Sequence, residues 1–307
     1  MVSALPRMLH QACLALLVAG FCASLHAAPK DNGRVLPEQP VVVAESVVLT
    51  LNLPEKDRVV FRGVVSLDKA GTQQQQMLYP APDPISAVAG LMTHALMTKS
   101  IRDNQKERMQ EDADVVLNPY RQYLDGYQAS ELQQRVLALI GERKQRGFVA
   151  ATATASEGWL FRSLPVFAMT QDQRAIVMDN SISVFAPGNL KKPVYVNAVR
   201  VVSTPHAAED LQAFWRQGEG EALKATAAAL VADSLAMVLD DLARGGSALP
   251  AQKTVRYLEG ATEKMERASI LGDACNRLVI RTLRGWLMSV PRKDVRCAPA
   301  TAPAIAG

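Results

Sequence analysis

The chain has 307 residues, of which 49% are hydrophobic and 21% charged. That composition belongs to a folded globular protein and excludes a disordered or fibrous one. The formal charge of +4, from 34 Lys and Arg against 30 Asp and Glu, falls short of the concentrated basic surface that phosphate-backbone binding requires, so nucleic acid is excluded as the main partner.

Arg7 and the amino terminus precede a run, Ala12 to Phe21, that is wholly apolar or small, and the small residues Ala23, Ser24 and Ala27 follow it. This pattern predicts a secretory signal peptide over 1–27, cleaved after Ala27. The run is about half the ~20 residues needed to cross a bilayer, and no later run is longer, so no transmembrane span is expected in the mature chain. A competing reading makes Cys22 the acylated first residue of a lipoprotein, although Phe21 stands where lipoprotein processing wants a small residue. Either reading puts the protein in the periplasm or on the periplasmic face of the envelope. Export removes Cys13 and Cys22 and leaves Cys275 and Cys297, which in an oxidising compartment are expected to form a disulfide worth about 3 kcal/mol in loop entropy.

Residues 28–40 are polar and punctuated by proline, which predicts a flexible lead. Val41 to Leu53 and Val59 to Leu67 read as strands, and Pro54-Glu55-Lys56-Asp57 between them reads as the turn of an antiparallel hairpin. The glutamines 73–76 read as an exposed linker. Asp83-Pro84 is a capped helix start, and Ile85, Val88, Met92, Ala95 and Leu96 recur at helical spacing before a polar stretch reaches Pro119. Ser130 with Gln133 reads as a capping box for a second helix striped by Leu132, Val136, Leu139 and Ile140.

The period then switches to two. Phe148 to Ala155, Leu164 to Met169, Arg174 to Phe185 and Val194 to Val202 are strand candidates joined by turns, which predicts an antiparallel meander. Thr204-Pro205 reads as another helix start, with Leu211, Phe214 and Trp215 as an apolar patch after it. Gly218 and Gly220 loosen the chain, and a long helix is predicted from about Glu219 to Ala243, stopped by Gly245-Gly246. Residues 252–297 carry ten Lys and Arg against five Asp and Glu, while 28–251 carry 23 against 25. The segregated charge makes Arg277, Arg281, Arg284, Arg292, Lys293 and Arg296 a candidate basic surface for anionic lipid, envelope polymer or an acidic partner. The bland alternative pairs these cations with Glu259, Glu263, Glu266 and Asp273. Helix and hairpin both remain open for 252–290.

The expected fold is α+β: an antiparallel sheet packed against several helices, including one long helix in the C-terminal half. Its divisions are an α+β domain over 41–250, a basic segment over 251–297 tied by the disulfide, and an Ala/Pro tail over 298–307. No HExxH helix, phosphate-cradling glycine loop or GxSxG elbow occurs, and no catalytic, metal or cofactor residue is assigned. Glu111-Asp112 and Asp240-Asp241 read as solvated faces, since adjacent helical residues point about 100° apart. His94 reads as a core or interface residue and His206 as an exposed neighbour of a cap.

Arg102-Asp103-Asn104-Gln105-Lys106, the Asn118-Pro119-Tyr120 exit, the strand containing Tyr195, and Trp215 ahead of an alanine-rich helix together resemble a family of exported bacterial cell-envelope proteins, periplasmic or lipoprotein-like. The resemblance covers much of 80–243, excludes the arginine-rich block, and carries over no functional residue. It implies an α+β envelope protein. The leading expectation is a non-enzymatic protein that binds a protein or anionic surface partner; the alternative is a hydrolase that cuts an envelope polymer with carboxylates no motif reveals.

Overall fold

A computed structural model describes residues 34–41, 43, 48–53, 58–65, 101–143, 148–150, 158–274 and 276–294. The predicted signal peptide over 1–27, the expected turn at 54–57, the expected helix start at 83–84, His94, Cys275, Arg296, Cys297 and residues 298–307 lie outside the described residues.

Among the described residues ten strands form one sheet: β1 (Leu49–Asn52), β2 (Val60–Gly63), β3 (Phe148–Ala150), β4 (Trp159–Met169), β5 (Ile176–Phe185), β6 (Tyr195–Val202), β7 (Lys253–Glu259), β8 (Thr262–Asp273), β9 (Arg277–Thr282) and β10 (Leu287–Pro291). Their order is β3-β1-β4-β5-β6-β10-β9-β8-β7, with β2 also on β4. The architecture is α+β as expected, but the sheet is mixed and not antiparallel. β4, β5 and β6 do form the predicted meander. β1 and β2, expected as a hairpin, instead lie one after the other along the same edge of β4, both parallel to it. An eleven-residue strand is long enough to take two four-residue partners end to end. β1 pairs with 159–162 and β2 with 166–169, so Pro165, which has no N–H to donate, falls in the gap between them.

The described part of the basic segment consists of strands and turns, with β8, β9 and β10 antiparallel and β10 joined in parallel to β6. It therefore continues the same sheet as the rest of the domain. β7 and β8 roll over one face, where Tyr257 bridges Arg292, and enclose a small core of Val177, Val202, Val255, Tyr257, Ile280 and Met288.

The opposite face carries the main core and the helices α1 (Ile101–Asp114), α2 (Arg121–Leu124, after a 3-10 turn Val115–Tyr120), α3 (Ala129–Glu142) and α4 (Leu211–Arg244). α3 starts one residue before the predicted capping box, with Gln128 at the N-cap and no side-chain cap bond. Gln133 serves a different end: its amide donates to Leu51 O and accepts from Leu53 N, closing β1 where the chain leaves the sheet. α4 begins later than Thr204-Pro205 suggests, because Asp210 is the residue whose side chain accepts from Ala213 N at 2.9 Å.

The buried stripe of α4 includes Leu223, Ala227, Leu230, Ser234, Met237, Val238 and Leu242. By length and composition this helix would pass for a membrane span, yet the stripe packs on the sheet. Ser234 meets Asn180 at the centre of β5, whose amide donates to Ser234 Oγ and accepts from Ser163 Oγ and Leu164 N. A polar residue on the inner face is tolerated there because its partners satisfy it.

The predicted flexible lead is docked over 34–41. Val35 exchanges both backbone bonds with Val196, and Val41 N donates to Leu242 O. The chain at Gln39 and Pro40 comes so close to Gly245 that a Cβ there would overlap it. Gly245 also has φ +55 and ends α4 as expected.

Candidate functional site

An open depression of about 640 Å³ is lined by Tyr123, Asp210, Ala213, Phe214, Arg216 and Gln217. It forms where α4 is interrupted. Gln217 leaves helical geometry, Gly218, Glu219 and Gly220 all have positive φ, and the helix resumes toward Arg244. Gly220 is required twice: its φ is +80, and a Cβ would strike the Tyr123 side chain at 2.9 Å.

Trp215 lies under this break, fully buried, and its indole donates to Gln173 O at 2.6 Å. Gln173, in the β4–β5 turn, has φ +58 without being glycine, and its side-chain oxygen accepts from Tyr120 Oη. Two non-glycine residues in the left-handed region, Gln173 and Glu219, thus flank one site, each at a cost of about 1–2 kcal/mol. Local strain of this kind concentrates at functional positions. His206, expected to be exposed, is half-buried with its ring 4.3 Å from Phe214 and 4.7 Å from Trp215. Burial lowers its pKa, which favours the neutral ring. Burial pushes the Tyr120 hydroxyl up to about 12, helped by the Asp210 carboxylate and opposed by Arg216. The result is an aromatic floor with one exposed acid and one exposed base on its rim. It can stack on flat or apolar groups and pair with charges, and it holds no nucleophile beside a base.

Of the six candidate basic residues, the five that are described, Arg277, Arg281, Arg284, Arg292 and Lys293, do not line this site. Arg281 is buried, 4% exposed, and pairs with Asp241, which is 2% exposed. Tyr195 Oη donates to the other Asp241 oxygen at 3.0 Å, and Asn197 donates to Tyr195 Oη. Arg277 is half-buried and donates to Val202 O and Ser289. Arg292 pairs with Asp273 and Lys293 with Glu263, two of the four acids named in the bland alternative. Arg284 is exposed and lies over the Trp286 ring at 5.4 Å. Among the described residues of the block, Arg281 is therefore withdrawn from any surface by burial, and Arg292 and Lys293 carry acidic partners.

Asp240 and Asp241, expected to point away from each other into solvent, both border a cleft of about 80 Å³ with Arg244 and Leu287. Burial raises the Asp240 pKa, with Arg244 opposing. A cleft of that volume holds a few waters and not a sugar or peptide unit. Among the described residues no three His, Cys, Asp or Glu side chains are grouped closely enough to hold a metal ion.

Sequence reasoning flagged the Phe214 and Trp215 patch and the two glycines after it. It missed Tyr123, Gln173, Asp210 and Arg216, which reach the site from other elements or are unremarkable exposed residues in sequence. Comparison with protein-family models, curated proteins and solved structures returns no match for this chain.

Proposed function

We propose that this is an exported, non-enzymatic cell-envelope protein that binds a partner protein through the depression at the α4 interruption. The observation that carries the reading is the combination there of two half-buried aromatic side chains, Phe214 and Tyr123, with the exposed Arg216 and Asp210. Aromatic residues and arginine dominate binding energy at protein interfaces, and a pre-ordered patch loses little entropy on association. The short apolar run Ala12 to Phe21 behind Arg7 supports the compartment.

Photoreactive amino acids at 214 and 217, introduced into the protein in intact cells, test the binding surface. Discrete higher-mass adducts are expected from both positions, none from Met265, which is exposed on β8, and fewer in an Arg216→Glu background. Equal adducts from all three positions, or none from 214 and 217, would overturn the proposal. For the compartment, intact-mass analysis of the periplasmic fraction is expected to give a chain starting at Ala28 with Cys275 and Cys297 resistant to alkylation. Retention of residues 1–27 refutes export; an acylated Cys22 replaces the soluble form with the lipoprotein one.

A further inference from the structure

Strand register places several loops at one end of the sheet, opposite the Gln173 turn. β5 runs antiparallel to β6, so the 186–194 loop between them sits there. β10 runs parallel to β6, and Asn197 donates to Gly285 O, so the 283–285 turn between β9 and β10 sits beside it. β1 starts level with the start of β4, where Trp159 N donates to Val48 O, and this adds residue 48.

Three of the exposed large hydrophobic residues occupy these tips: Val48 at 53%, Leu190 at 46% and Leu283 at 58%. From β1 to β9 is five strand spacings, about 24 Å, so the tips are spread across the sheet end and do not form one patch. Cations follow them directly in sequence, as Leu190-Lys191-Lys192 and Leu283-Arg284. Arg162 adds another, over the Phe185 ring. Lys191, Lys192, Arg162 and Arg284 are all exposed, and none has an ion-pair partner among the described residues. The acids that come near are Glu38 beside Gly246, Glu266 near Arg284, and Asp240, which faces Arg244. Arg34, whose guanidinium lies against Gly285, is also here.

We propose that this end of the sheet docks on an anionic lipid bilayer, with Leu190 and Leu283 entering the headgroup boundary and Lys191, Lys192, Arg162 and Arg284 contacting lipid phosphates. Isolated exposed leucines are ordinary on soluble proteins. Here each sits at a loop tip with unpaired cations behind it, the arrangement in which apolar insertion and headgroup attraction add. The surface lies at the far end of α4 from the partner-binding depression and does not depend on it: about 36 Å of helix, residues 221–244, separates them.

The test is flotation of the purified protein with vesicles of phosphatidylglycerol and phosphatidylcholine, one part to two, against phosphatidylcholine alone. Binding is expected only with the anionic vesicles. It should fall as salt rises from 0.1 M to 1 M, where the screening length shrinks from about 10 Å to about 3 Å. The double variant Lys191→Glu, Lys192→Glu is expected to bind about thirtyfold more weakly or worse, because each basic residue near such a surface contributes about 1 kcal/mol. Leu190→Ser with Leu283→Ser should weaken binding without changing its salt dependence, whereas Arg292→Glu with Lys293→Glu, at the other end, should leave it intact. Circular dichroism confirms that each variant is folded. No flotation at low salt, undiminished binding by the Lys191 and Lys192 variant, or equal binding to neutral vesicles would overturn the proposal. So would displacement by millimolar inorganic phosphate, which marks a phosphate site, or binding to envelope fragments but not to lipid, which marks a protein receptor.

Discussion

Replacing Asp241 by Ala is expected to lower the free energy of unfolding by about 3–5 kcal/mol, the cost of leaving a buried guanidinium without its counter-charge. The Arg281 side chain has no route to solvent, since it emerges from β9 toward α4 and is 4% exposed. Its Nε already lacks a hydrogen-bond partner, so Asp241 is the group that offsets its desolvation. Tyr195 Oη would lose its acceptor in the same change. Arg281→Met with Asp241→Leu removes both charges and keeps apolar volume. It is expected to melt close to the wild-type protein, as replaced buried ion pairs often do. Urea denaturation of the two single variants and the double variant gives the coupling energy directly. A loss below about 1 kcal/mol for Asp241→Ala would show that the pair is not a buried counter-charge system, as would a double variant no more stable than that single one.

Arg281 also shows what a sequence can and cannot convey here. Counting cations over 252–297 placed it on a surface with its neighbours, because charge is usually solvated and Asp240-Asp241 was read as a solvated face. Period two in β9 puts Arg277, Val279 and Arg281 on the helix side. Only knowledge that β10 joins β6 in parallel reveals that α4 ends above that side, with Asp241 pointing down. The same limit explains the β1 and β2 segments. Their strand character is local and was legible, but their shared use of one edge of β4 depends on pairings that span a hundred residues. The long helix and its stop at Gly245 were legible because they follow from spacing and backbone conformation within one stretch. The interruption of α4 was legible in part, as Gly218 and Gly220, although the left-handed Glu219 between them has no signature of its own. The depression it creates is lined by Tyr123 from α2, and the Trp215 beneath it contacts Gln173 from a turn and His206 from a loop; no local pattern joins those positions.

The frame of that depression should be costly to disturb. Trp215→Ala is expected to destabilise the protein by about 3–5 kcal/mol, the range for removing a fully buried large aromatic side chain. The indole is 0% exposed, and the cavity would open between Gln173, His206 and Phe214, which the rest of the site leans on. Trp215→Phe separates the two roles of the residue. It keeps most of the apolar bulk but removes the N–H that holds Gln173 O, so it should cost the bond, about 1 kcal/mol, plus a smaller packing loss. Gln173 keeps its left-handed φ only while neighbours hold it, and losing one of its two anchors should loosen the β4–β5 turn first. Hydrogen exchange at Thr170 to Ala175 is therefore expected to speed up in Trp215→Phe, while exchange in the centre of β5 stays protected. Phe214→Ala provides the contrast: its ring is half-buried on the rim, so stability should change little while adducts at 217 fall. If Trp215→Ala unfolds at nearly the wild-type urea concentration, the indole is not what supports the site. If Phe214→Ala leaves the adducts at 217 unchanged, the aromatic rim is not the binding surface.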